Sequence, residues 1–277
     1  MSITADQERA FYDDQYARHL ALPEHALRLT RATLERTIDD PAQPMYERRR
    51  LYRATIAALL EEPVRGRKAL DYGCGPGDFG LLLATEGAEV TFLDLSPAAI
   101  ELCLRRAAAS GVAARGVAAD ASRLEAFAAG EFDLVFAAAS LHHTLKYPGA
   151  LEELARVMKP GARLVLCETW GGNPVLNVAR RVRAWLAREP AEQGEEILLG
   201  EEEIGELRRY FERIELRPLS LTAMAKRLAR GRFTSGVVRG GLRVLESVDG
   251  LLLGLAPRLG RWCGEVVVVA RRRGHAT

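Results

Sequence analysis

At residue 68 the hydrophobic pattern of the chain changes its period. Before it, residues 3–62 read as helices broken at Pro23, Pro41 and Pro44, with Leu51, Ala54, Thr55, Ala58 and Leu59 recurring at helical spacing. After it, short β-type runs alternate with helical stretches. Lys68-Ala69-Leu70-Asp71-Tyr72 enters a glycine-rich turn and then a helix through Leu81, Leu82 and Leu83. Glu89-Val90-Thr91-Phe92-Leu93 ends at Asp94, where Ser96 and Pro97 supply an N-cap and first position for the next helix. A weak strand over residues 114–119 ends at Asp120, and Phe132-Asp133-Leu134-Val135-Phe136 reads as a buried strand. A helix over 149–158, stopped by Pro160-Gly161, precedes a fifth strand at 162–167. Two more strands are expected around 214–217 and 265–270. The run Val266-Val267-Val268-Val269 is apolar on both faces, so it belongs inside the sheet although it comes last. Strands alternating with helices predict an α/β, doubly wound sheet.

Composition narrows the function only a little. The chain has 277 residues, of which 48% are hydrophobic and 27% charged, with a formal net charge of +2, so no strong global field points to nucleic acid or membrane. Lys68, Lys146, Lys159 and Lys226 are the only lysines; the arginine excess reads as coding bias rather than as a binding signal. Cys74, Cys103, Cys167 and Cys263 have no metal or redox spacing and read as free thiols in a reducing compartment. Asp6, Glu8, Arg9, Asp13 and Asp14 leave no apolar signal core in the first residues, and a cytoplasmic location is expected. The most apolar long window, 237–256, contains Arg239, Arg243, Glu246 and Asp249; that argues against a membrane span and leaves an interfacial amphipathic helix open.

Three acids, Asp71, Asp94 and Asp120, fall at successive strand ends, where ligands of parallel sheets bind. Glycines between the first strand and its helix let the backbone approach a ligand closely. Asp94 lies 19 residues beyond Gly75, in place to accept ribose hydroxyl protons. A dinucleotide fingerprint needs a third glycine where this chain has Asp78, whose carboxylate would meet a pyrophosphate on the helix N-terminus.

The run Ala69-Leu70-Asp71-Tyr72-Gly73-Cys74-Gly75-Pro76-Gly77 resembles the first motif of class I S-adenosylmethionine (SAM)-dependent methyltransferases, of the kind found in quinone and natural-product biosynthesis. The resemblance continues through Asp94, Asp120, Phe132-Asp133-Leu134-Val135 and the segment from Leu154 to Leu166, covering roughly residues 65–170. It implies a Rossmann-like sheet of seven strands, the last antiparallel and beside the fifth. It also implies that SAM is bound and S-adenosylhomocysteine released, with no metal. Gly73, Cys74 and Gly75 would line the methionine part and Asp71 would orient its ammonium. Asp94 would take the ribose hydroxyls, Leu95 would pack on the adenine, and Asp120 and Ala121 would meet the adenine amino edge.

The candidate catalytic residues are His142 and His143, which follow the fourth strand on the ligand side, since an imidazole accepts a proton near neutral pH. Tyr12, Tyr16 and His19 are candidates to close over the cofactor, and Glu168 and Trp170 to touch substrate. The fourth-strand end, Ala138-Ala139-Ser140-Leu141, lacks the Asn/Asp-Pro-Pro-Tyr pattern of nucleic-acid amino methyltransferases.

The expected organisation is a single domain, 1–277. Residues 1–62 form a helical N-terminal lid and 63–170 the SAM-binding core. Residues 171–205 and 220–262 are inserted, substrate-covering helices, while 206–219 and 263–273 hold the final strands. Arg180, Arg181, Arg183 and Arg188 beside Trp185 read as a solvated helix face, with an anionic substrate group or an acidic membrane surface as the sharper alternative. The expected acceptor is a small or lipid-like molecule methylated on O, N or C. The rivals are a SAM-fold protein with a binding or non-methylating role, and a nicotinamide-dependent oxidoreductase. The acceptor's identity and the oligomeric state are open.

Overall fold

The computed structural model describes residues 5–187 and 198–274. The N-terminal segment is helical: α1 (Ala5–Leu20), α2 (Glu24–Leu27), α3 (Arg31–Asp39), a 3-10 turn at Pro44–Arg48 and α4 (Arg49–Leu59). The sheet begins with β1 (Lys68–Tyr72), then α5 (Asp78–Thr85), β2 (Glu89–Asp94), α6 (Pro97–Ala109), β3 (Ala114–Ala118) and β4 (Phe132–Ala138). It continues through α7 (Leu141–Thr144), α8 (Ala150–Val157), β5 (Met158–Thr169), α9 (Pro174–Ala187), α10 (Glu201–Tyr210) and β6 (Phe211–Leu219). A 3-10 segment at Thr222–Ala229, α11 (Gly236–Leu255), another 3-10 segment at Pro257–Trp262 and β7 (Glu265–Arg272) complete the chain.

The sheet order is β3-β2-β1-β4-β5-β7-β6. The first five strands are parallel, and β7 is antiparallel to both its neighbours, β5 and β6. The valine-rich last strand therefore lies inside the sheet, as its two apolar faces require. The alternation of side chains along each strand separates two cores. Ala69 and Val267 join Leu51, Leu59, Leu81 and Cys103 on one face, while Leu70 and Val268 join Leu154, Ile204 and Phe211 on the other. Edge strand β6 carries Glu212, Arg213, Glu215 and Arg217, charges that discourage further strand addition. The helix expected at 149–158 ends at Val157, and β5 starts before the Pro160-Gly161 turn instead of after it.

The helices are placed by specific caps. Ser96 accepts from the Ala99 amide at 3.1 Å at the head of α6, with Pro97 at the first position. Asp249, fully buried in α11, accepts from the amides of Leu221 (2.9 Å), Thr222 (2.6 Å) and Ala223 (3.2 Å) and so caps the 3-10 segment below it. One of the four charges that argued against a membrane span is thus an internal cap. Among the described residues no helix is long and apolar enough to cross a membrane.

Gly80 seats α5 on the sheet. A Cβ there would stand 2.4 Å from Asp71 Oδ2 and 2.5 Å from the Phe92 ring, both on buried strands that cannot retreat. Gly80→Ala should lower stability by about 1–2 kcal/mol, the overpacking penalty exceeding a helix-propensity gain of about 1 kcal/mol. The urea midpoint should fall with an unchanged slope; an unchanged midpoint would show that the helix shifts freely.

Candidate active site

The site is built where β1 and β2 end. Gly73, Gly75 and Gly77 all adopt positive φ (65°, 50° and 74°), which the glycine-rich turn requires. A Cβ on Gly73 would fall 2.4 Å from Ser140 Cβ, and one on Gly75 would fall 2.8 Å from the Tyr16 hydroxyl, so both positions are held open by close approach as well. The Gly75 amide donates to Asp94 Oδ2 at 2.8 Å and the Ser96 amide to Asp94 Oδ1 at 2.9 Å. Burial pushes the Asp94 carboxyl up, and these amides oppose that shift. Each oxygen keeps a second acceptor site. Beneath the loop the Cys74 and Cys103 sulfurs are 3.6 Å apart, and burial pushes the Cys74 thiol up, which makes it a packing group rather than a thiolate.

Strand β4 closes the opposite side. Ala139, just beyond its end, sits at φ 51°, a left-handed conformation that costs a non-glycine residue energy. The turn brings the Ser140 hydroxyl to donate to the Tyr72 carbonyl at 2.5 Å. Tyr72, fully buried, donates its hydroxyl to the Ala121 carbonyl at 2.7 Å and lies 2.8 Å from Thr144 Oγ1, tying the loop after β3 to α7. Asp120 Oδ1 accepts from the Ser122 amide at 2.8 Å. Asp71 is buried with Oδ2 on the Gly80 amide at 3.1 Å, and burial pushes its carboxyl well up.

These groups border one cavity of about 400 Å³. Asp71, Gly73, Cys74, Gly75, Asp94 and Leu95 form one part of its lining, with Asp120 and Ala121 beside them. The remainder is largely aromatic and apolar: Tyr12, Tyr16, Met45, Tyr52, Phe79 and Phe136, with Arg48, His143 and Tyr147. Helix α1 is fastened over it by Asp13, which accepts from the Ser96 hydroxyl at 2.5 Å and the Ala98 amide at 3.2 Å. Arg48 is fixed from behind, donating to Glu265 Oε1 and Thr169 Oγ1, each at 3.3 Å. Glu265 is itself fully buried and accepts from Lys226 and Ser220, both at 2.7 Å.

The pattern of a family described as a methyltransferase domain, Methyltransf_25, matches residues 69–161, the stretch that carries this loop and these acids. Residues 69–161 are a methyltransferase domain by this match, and they carry the motifs that resemble the class I SAM-dependent type. Over 118 residues the chain is 39% identical to a demethylmenaquinone methyltransferase of Thermus thermophilus, covering 42% of this chain and 52% of that protein. It is 30% identical over 128 residues to a ubiquinone biosynthesis O-methyltransferase of Xanthomonas axonopodis pv. citri, covering 46% and 53%. The chain thus spans about half the length of the curated relatives it matches. The fold is shared with a SAM complex of phosphoethanolamine N-methyltransferase 2 of Haemonchus contortus (TM-score 0.56, 19% identity, covering 81% of this chain and 53% of that one). It is shared also with the [4+2]-cyclase SpnF (TM-score 0.53, 20% identity, 80% of each chain).

The residues of the methyltransferase domain fit the cofactor of its class. The close approaches at Gly73 and Gly75 keep the cradle clear of side chains, acids stand at three strand ends, and Leu95 and Ala121 offer small apolar contacts between them. Of the catalytic and cofactor-binding residues expected, His142 is the one that does not line the cavity. Its Nδ1 lies 2.9 Å from Oε2 of the buried Glu168, and its ring centroid is 4.2 Å from that of His143. Among the described residues Glu168 does not line the cavity and meets it through His142, and Trp170 turns away, its indole donating to the Arg261 carbonyl at 3.1 Å. His19 is exposed on α1, a turn beyond Tyr16, and its ring faces its own helix at Gln15.

Asp78 is paired with Arg106 at 2.8 Å, so its charge is partly offset, while Gly80 supplies the close helix–strand packing expected of a third glycine. Arg180 donates to the carbonyls of Trp170 and Gly264 and so serves the backbone. Arg183 and Trp185 lie in α9 with side chains outside the described residues, as does Arg188 entirely. Among the described residues none of 171–205 or 220–262 lines the cavity; they brace its wall through Glu265, Lys226 and α11. Arg48, Ser140 and Tyr52 are site residues that sequence spacing had not singled out.

Burial lowers the His143 imidazole from 6.5 to about 4, with His142 and Lys146 adding to the effect. His143 should therefore be neutral throughout the neutral range, and its ring protons should titrate near pH 4 by NMR. Between pH 6.5 and 4 the unfolded chain binds the extra proton, so acidification across that window withdraws stability. A His143 titration midpoint near 6.5 would contradict the burial seen here.

Proposed function

We propose that the protein transfers a methyl group from SAM to an oxygen, nitrogen or carbon atom of a small or lipid-like molecule. The reading rests on one observation: a single cavity joins the glycine-and-acid cradle to an aromatic wall bearing His143 and Arg48. The demethylmenaquinone and ubiquinone methyltransferase names of the relatives support the same acceptor class.

When bound, SAM supplies a sulfonium methyl group that is already electrophilic. The protein's task is then to hold and orient the acceptor and exclude water. Asp94 would hold the ribose, with Gly75 and Ser96 fixing the direction of its carboxylate. Asp71 would face the ammonium end, whose charge offsets the cost of ionising a buried carboxyl. Asp120, Ala121 and Leu95 would border the adenine, and Gly73 and Cys74 the methionine chain.

Tyr12, Tyr16, Tyr52 and Phe136 present flat apolar surfaces to an acceptor. Arg48, clamped by Glu265, is a fixed cation beside it, suited to a phenolate, enolate or carboxylate oxygen. His143, neutral because buried, offers a ring nitrogen to the proton that leaves an acceptor hydroxyl or acidic carbon. His142, fixed by Glu168, keeps the His143 ring in place.

Isothermal titration of the pure protein with SAM and S-adenosylhomocysteine should give saturable binding; the absence of both would overturn the reading. Asp94→Ala should weaken SAM binding by about 1.5–3 kcal/mol, the scale of hydrogen bonds to a charged group, and unchanged affinity would remove Asp94 from the ribose. Incubation with methyl-labelled SAM and a host metabolite extract, followed by mass spectrometry, should reveal a labelled small or lipid-like product. Retained SAM with no labelled product would favour a non-methylating use of the fold. With the acceptor in hand, His143→Ala should lower kcat by about 10–100-fold, at or below the lower range of general-base effects, and leave SAM affinity unchanged.

A further inference from the structure

Helix α11 has two unlike faces. Its inward face holds the fully buried Asp249, Leu242 and Glu246, which pairs with Arg49. Its outward face carries Val237, Gly241, Val244, Val248, Leu251 and Leu255, spaced by four and three residues in strict alternation. At 100° per residue these six positions fall within an arc of about 80°, over a length of roughly 27 Å. The five large side chains among them are 37–86% exposed. Scattered apolar residues are ordinary on a protein surface; a continuous exposed stripe is not.

The charges around the stripe identify what covers it. Residues 222–262 contain two acids, Glu246 and Asp249, and both are turned inward to arginines. The basic residues divide differently; Arg227 is half-buried, and the others fall into two groups. Lys226, Arg230 and Arg239 are used internally, on Glu265, Glu47 and backbone carbonyls. Arg232, Arg243, Arg258 and Arg261 are exposed and make no ion pair among the described residues. The outer surface of this segment is thus apolar along its ridge and solely positive around it. A second copy of the chain docked by the same ridge would set like charges beside like. The flanks of the stripe, Gly240, Ser247 and Gly254, also offer no charge that could pair across a helix–helix seam.

We propose that α11 docks the protein on an anionic lipid surface, lying in the interface plane with its valine and leucine ridge among the acyl chains and its arginines at the head groups. The ridge supplies apolar burial and the arginines supply attraction to negative lipid, the two components of interfacial helix binding. The docking helix is also coupled to the cavity wall. Arg49 and Arg50 bind Glu246 and Asp249 of α11, Tyr46 packs on Phe233 at 5.6 Å, and the adjacent Arg48 lines the cavity. The docking surface stands apart from the methyl-transfer reading, because SAM binding is measured separately.

Flotation of the full chain with phosphatidylcholine vesicles, with and without an equal part of phosphatidylglycerol, tests the proposal. Binding to the anionic vesicles should exceed that to the neutral ones by about 10-fold or more and fall at high salt. Leu251→Ser combined with Leu255→Ser, both exposed positions, should reduce vesicle binding by about 10-fold while SAM affinity stays at the parent value. Arg243→Gln combined with Arg258→Gln provides a second variant that leaves the apolar ridge intact and should flatten the salt dependence. Equal binding to neutral and anionic vesicles, or serine variants that float like the parent, would overturn the proposal. So would a dimer in sedimentation velocity that the same serine substitutions dissociate, since the ridge would then belong to a second copy.

Discussion

The carboxylate of Asp94 is the joint on which the site depends. Its two oxygens accept from Gly75 and Ser96, amides that belong to different crossovers of the sheet. One bond fixes the glycine turn after β1; the other fixes the entry to α6. Ser96 then caps α6 and donates to Asp13, so the same few atoms also hold α1 over the cavity. A buried carboxylate costs desolvation energy, and the amides meet that cost only because the two strands end at the same level. Loop, helix entry and covering helix are therefore a single arrangement with one buried acid at its centre.

A second buried acid organises the opposite wall. Glu265 opens β7 and gathers Arg48, Lys226 and Ser220 from three separate segments. Removing one partner of such a group strands a buried charge, at a typical cost of about 3–5 kcal/mol. This is the physical reason that residues after β6 matter to a cavity they do not line: they hold Arg48 in its wall. The inward turn of Glu246 and Asp249 has the same logic, and it leaves the outer face of α11 without acids.

Much of this was legible in the sequence because it depends on short spacing. The strands and the interior position of the valine run follow from period and from burial on both faces; the place of the last strand beside the fifth came from the family resemblance. The acids Asp71, Asp94 and Asp120 were legible because a strand end is a fixed place in a parallel sheet, and the glycines because a positive φ has few other solutions. Long-range contacts were not legible. Nothing near Arg48 in sequence announces Glu265, which is 217 residues away, and nothing near Gly73 announces Ser140. His142 and His143 are adjacent and chemically identical, so sequence could not rank them. A turn at Ala139 and the buried Glu168 separate them, one toward the cavity and one toward the carboxylate.

The cradle and the wall carry different kinds of information. Glycines and strand-end acids are dictated by a cofactor common to a whole fold class, and a [4+2]-cyclase shares that fold with methyltransferases. Chemistry must therefore be decided by what stands opposite the cradle. Here that is six tyrosine and phenylalanine side chains, a clamped arginine and a neutral imidazole, within a cavity of about 400 Å³. A highly charged acceptor would gain from the single arginine but would lose hydration against every other surface. Under the proposed methyl transfer, a flat, mostly apolar acceptor with one acidic hydroxyl or carbon would lose little there and would place its developing negative charge beside Arg48 and His143. The wall, more than the cofactor loop, is therefore where the proposed acceptor would be selected.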